Sequence, residues 1–142
     1  MRTFYIFKIN NLLNPIYERK TTNIYKLLDK IKKLHKRDYK IAKSLYSKTI
    51  IPINKGKIDN YLLMNHMNDL YYTKNNNIHE LSSDMEESKL IIYNTYIKVT
   101  STNNISSFFK DIYELDKNLF AIDFENKDYF YLDDLKVKLL AS

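Results

Sequence analysis

"NLFAIDFENKDYFYLDD", residues 118–134, sets carboxylates among aromatics: Asp123, Glu125, Asp128, Asp133 and Asp134 stand with Phe120, Phe124, Tyr129, Phe130 and Tyr131. Acids in an apolar surround can form an acid/base pair or a metal cage, or they can mark the wet parts of a β-hairpin. The alternation favours the hairpin. With Asn126-Lys127 as a two-residue turn, Asn tolerating the positive φ, Glu125 pairs with Asp128, Phe124 with Tyr129, Asp123 with Phe130 and Ile122 with Tyr131. Phe120, Ile122, Phe124, Tyr129 and Tyr131 then share one face, and Asp123 falls on the other beside Ala121, Phe130 and Leu132. A calcium loop of EF-hand type fails, because Lys127 interrupts the oxygen ligands and the required glycine is missing. The stretch reads as scaffold with one open demand. Asp123, an acid in an apolar strand, needs a partner or a wet face.

Working outward, residues 3–9 (TFYIFKI) read as a strand, aromatic and β-branched. Ile24, Leu27, Leu28, Ile31 and Leu34 recur at helical spacing, with Thr22 as N-cap. A second helix starts at Asp38, buries Ala42, Leu45, Tyr46 and Thr49, and ends before Pro52. A loop around Gly56 precedes a third helix over 57–67, with Ile58, Tyr61, Leu62 and Met67 inward. "YYTKNNN" carries a turn, and a strand follows near 78–81. Residues 89–99 (KLIIYNTYIKV) read as one strand, apolar on both faces and therefore central. Ser106 or Asn104 caps a fourth helix carrying Ile105, Phe108, Phe109 and Ile112, long enough for a crossover to the closing hairpin. The fold class is α+β: one domain over residues 1–142, with about four helices covering a mixed or antiparallel sheet of about five strands as a single pair of layers.

Composition excludes several chemistries. The chain of 142 residues has no cysteine, so disulfides, thiolate nucleophiles and Cys-based zinc sites are out. It has one glycine, which removes phosphate-cradling loops and the nucleophile elbow. "HELSS" at 79–83 resembles the start of a zinc-protease helix, but Ser83 stands where the second His belongs. His35, His66 and His79 otherwise lack convergent ligands, and the His66–Asp69 pair reads as solvated. No catalytic role, metal or cofactor is expected. No apolar run reaches membrane-spanning length, and "MRTFYIFKINN" reads as a strand and not a signal peptide. A cytoplasmic protein is expected.

Charge is uneven. Residues 19–57 hold 13 of the 23 basic side chains and only the acids Asp29 and Asp38. That segment is +11 in a chain of net +6, which raises the expectation of an anionic partner. One reading is a nucleic-acid-binding module using residues 19–57 with Tyr25, Tyr39 and Tyr46. The ordinary alternative is a set of surface helices whose lysines lie off the apolar stripe. Thirteen tyrosines and no tryptophan suit a binding surface, and Tyr17 lies outside every periodic stripe.

Three blocks in order resemble the sporulation inhibitor of replication family, SirA, of endospore-forming Firmicutes. They are "TFYIFKIN" followed by "LLNPIY", the helix end "LYSKTIIPI", and "LFAIDFENKDYFYL". The resemblance implies a non-enzymatic protein that binds the N-terminal domain of the initiator DnaA and stops new rounds of replication during sporulation. It further implies contacts from the loop after the first strand, here Leu13 and Tyr17, and from the helix before Ile51-Pro52-Ile53, here Lys43 and Tyr46. Leu13 stands where the family can carry an aromatic, and Tyr131 where it usually carries Trp. No direct nucleic-acid contact, no membrane and at most a weak homodimer are expected beside DnaA.

Overall fold

The computed structural model describes residues 1–10 and 20–141. Strand β1 (Arg2–Ile9) leads to helices α1 (Thr21–Arg37) and α2 (Tyr39–Thr49), short β2 (Ile50–Ile51) and α3 (Lys55–His66). Four strands follow: β3 (Tyr72–Asn75), β4 (Ile78–Ser82), β5 (Glu87–Ile92) and β6 (Ile97–Ser101). Helix α4 (Phe108–Leu115), β7 (Leu119–Asp123), β8 (Asp128–Tyr131), a 3₁₀ turn (Leu132–Leu135) and α5 (Lys136–Ala141) complete the chain. The eight strands form one antiparallel sheet in the order β3-β4-β5-β6-β1-β7-β8, with β2 on β1. The α+β class holds; the sheet is larger than about five strands, and the described helices number five. The crossover through α4 holds too, carrying the chain from β6 over β1 to β7.

Helices cover both faces, which corrects the single pair of layers. The alternation of β1 explains why: Phe4 and Ile6 pack with Leu62, Phe109 and Ile112 under α3 and α4, whereas Phe7 and Ile9 pack with Ile24, Leu28, Ile31 and Ala42 under α1 and α2. A strand buried on both sides needs two apolar coats. Asp38 joins α1 to α2 alone: its N–H caps α1 on the Leu34 carbonyl (2.7 Å) and its carboxylate accepts the Ile41 N–H (3.3 Å) that opens α2. Thr22 does not cap α1; Lys20 occupies that position, and the Thr22 hydroxyl meets Tyr129 instead (3.2 Å). Asn54 caps α3 by accepting the Lys57 N–H (3.2 Å), so Gly56 lies in the helix and not in a loop. Met67 lies outside that helix and is exposed.

Residues 89–99 are not one strand. The chain reverses at Asn94-Thr95, Tyr93 donating its N–H to the Tyr96 carbonyl (2.9 Å), and Ile92 pairs with Ile97. A straight strand would send Leu90 and Ile92 to one face and Ile97 and Val99 to the other. The reversal switches the parity, and all four share one core. "YYTKNNN" likewise contributes β3 and a tight turn, with Asn76 at φ 55.

The closing hairpin is shifted by two residues from the expected register. Asp123 pairs with Asp128 and Ile122 with Tyr129, so the loop is 124–127 and Lys127, not Asn126, takes positive φ (53). A two-residue shift preserves faces, and the aromatic face and the Asp123 face both stand as read. The shift has a visible cause. Asp123, 1% exposed, accepts the Asn126 N–H (3.1 Å) and side-chain amide (2.7 Å), tying the loop down. It also receives Arg2 Nε at 2.9 Å, while Arg2 Nη2 reaches Asp128 at 2.7 Å. Asp123 therefore has the partner that its burial demands.

Candidate functional site

A groove of about 550 Å³ opens between α1, α2 and the sheet. Its floor is Phe7, Leu28, Ile31 and Ala42, all buried. One wall is aromatic. Tyr5 and Tyr96 approach at 5.8 Å between centroids, Tyr5 and Phe124 at 5.8 Å, and Phe7 meets Tyr96 at 6.0 Å and the edge of Tyr46 at 6.4 Å. Tyr46 is held at both ends: its ring meets Phe7 edge-to-face and its hydroxyl pairs with Thr95 Oγ1 at 2.9 Å. Burial raises the Tyr46 and Tyr96 hydroxyls above the usual phenol value, so both are neutral hydrogen-bonding tips at physiological pH.

The rim is cationic. Lys32, Lys36 and Lys43 line the groove with His35, and no carboxylate does among the described residues. Lys32 lies over the Phe124 ring at 4.3 Å. Neither Lys36 nor Lys43 has a carboxylate partner among the described residues, whereas Lys33, one turn from Asp29, is paired at 2.8 Å. Apolar floor, aromatic wall and uncompensated rim charge suit a partner that presents an apolar side chain beside acidic groups.

Of the residues expected at a binding site, Lys43 and Tyr46 come together here, one turn apart on α2. Leu13 and Tyr17 lie outside the described residues. Tyr5, Phe7, Tyr96 and Phe124 were missed. The signal for Tyr5 and Phe7 is the period of β1; Tyr96 was masked by reading its hairpin as one strand.

A second polar cluster lies on the other face of the sheet. His79 is fully buried and accepts the Tyr72 hydroxyl on Nδ1 (2.7 Å), which leaves Nε2 to donate to Asp59 (2.7 Å). His66 pairs through Nε2 with Asp111 (2.6 Å), whose other oxygen accepts the Asn65 amide (3.0 Å). The Tyr72 ring stacks between the two imidazoles, at 5.3 and 5.9 Å. His66 is thus anchored, not solvated. Burial, with the charges of Asp59 and Asp111, pushes Tyr72 up to about 12, so it is a neutral donor and a poor nucleophile. The cluster clasps α3 to β3, β4 and α4. Among the described residues no group of three or more acids and histidines could hold a metal ion, and no helix is long and apolar enough to cross a membrane.

The family model described as sporulation inhibitor of replication protein SirA matches residues 2–136, nearly the whole chain. The chain belongs to the SirA family. No curated protein sequence matches it. Membership of the SirA family makes it a regulatory inhibitor connected with sporulation and replication.

Proposed function

We propose that this chain blocks replication initiation by binding the N-terminal domain of the initiator DnaA, with the groove mouth as part of the interface. The observation that carries the reading is the placement of Tyr46 and Lys43 on an aromatic, cation-rimmed concavity in a SirA-family chain. Tyr46 supplies a rigid half-buried aromatic with little side-chain entropy left to lose. Lys43 is exposed at the rim and steers an acidic face. Leu13 and Tyr17 extend the same interface in this proposal.

The test is a calorimetric titration against the purified DnaA N-terminal domain of the host. A one-to-one complex is expected; no heat at tens of micromolar would end the proposal. A DNA duplex titrated in the same buffer reports the competing idea of phosphate binding along residues 19–57, which demands affinity falling steeply with salt.

A further inference from the structure

We propose that the groove also binds small amphipathic anions, an apolar ring or chain bearing one carboxylate, sulfonate or phosphate. The volume of about 550 Å³ lies within the range of small-molecule sites. Its composition is that of such a site, an apolar interior with a few polar groups around it. Its walls are anchored: the Tyr46 hydroxyl is hydrogen-bonded to Thr95, and Phe7 and Ala42 are buried in the core. The charge selects the ligand class. Among the described residues Lys36 and Lys43 lack carboxylate partners and no acid lines the groove. A neutral ligand would leave these cations uncompensated beside the apolar surface. An anion seated against the aromatic wall pairs with them across the exposed rim, a charge-assisted contact that the uncharged ligand cannot make.

The inference rests on the groove's shape and charge alone, so its test needs no protein partner. The probes are 8-anilinonaphthalene-1-sulfonate and N-phenyl-1-naphthylamine, which share one ring system and differ by the sulfonate. Fluorescence titration of the native chain is expected to show one sulfonate dye per chain. Its Kd is on the order of 20 µM, as ordinary ligand efficiency gives for about twenty heavy atoms. The uncharged dye is expected to bind about tenfold more weakly. The double variant Lys36→Gln/Lys43→Gln is expected to lose about tenfold in sulfonate binding, with its melt and its affinity for the uncharged dye unchanged. Both positions are exposed, so the variant folds. Equal affinity for the two dyes, several dyes per chain, or undiminished sulfonate binding by the variant would overturn the proposal. DnaA binding could still stand after such a failure, and the dye result could stand if DnaA did not bind.

Discussion

Replacing Arg2 by Met keeps a long apolar stem over Phe4, which the guanidinium caps at 4.6 Å, and removes the cation. Asp123, 1% exposed, then loses its only charged partner among the described residues but keeps both Asn126 hydrogen bonds. The 3–5 kcal/mol typical of a broken buried pair is therefore too large, and one charge-assisted bond, about 2 kcal/mol, is the better figure. The Asp128 contact is half exposed and adds about 0.5 kcal/mol, as does the lost cation–π contact. The expected deficit is roughly 3 kcal/mol at pH 7, or roughly 10 °C in Tm for a chain of this size. Burial pushes the Asp123 carboxyl up, but Asn126 and then Arg2 outweigh it and hold it below the usual range. A depressed carboxyl contributes stability above the unfolded value of about 4 and loses it as pH falls through the folded value. Urea denaturation should thus show a smaller deficit near pH 3 than at pH 7. A deficit below about 1 kcal/mol, or one equal at both pH values, would refute this account of how the terminal hairpin is tied to β1.

The His66 imidazole is raised chiefly by its hydrogen bond to Asp111. It stabilises the fold below the unfolded value of about 6.5, and that stability is lost as pH rises through the folded value. Asp111→Asn should lower the NMR titration midpoint of His66 and remove that loss above the unfolded value of about 6.5; an unmoved midpoint would show the pair to be idle. Lys127 holds φ at 53 without being glycine. Lys127→Gly should raise the urea midpoint by about 0.5–1 kcal/mol in stability, and a lowered midpoint would mean that the Lys side chain supports the loop.

How far the fold could be read depended on how local its causes are. The stripe Ile24-Leu28-Ile31 and the Asp38 cap act within a few residues and were legible. So were the two faces of 119–131, because parity survives a two-residue slip. The slip itself was hidden, since it is set by the Asp123–Asn126 bonds and by Arg2, 121 residues away. The β5–β6 turn was hidden because Asn94 and Thr95 reverse the chain without a glycine or positive φ to mark them. Strand β3 is short, polar and at the sheet edge, so no apolar period announces it. Of the groove, Lys43 was legible only through a family resemblance, whereas Tyr46 also stood in the apolar stripe of its helix and, with Tyr39, among the aromatics of the basic segment. The aromatic wall needed β1, the β5–β6 turn and Phe124 to be brought together in space.

The claim that this groove meets the replication initiator is tested most directly by charge reversal at its rim. Lys36→Glu/Lys43→Glu changes two exposed side chains and should leave the melt within about 1 °C. Titrated against the DnaA N-terminal domain beside the unaltered chain, the double variant should bind at least about tenfold more weakly, as like charges are brought to an acidic face. Equal affinity of the two chains would contradict the account.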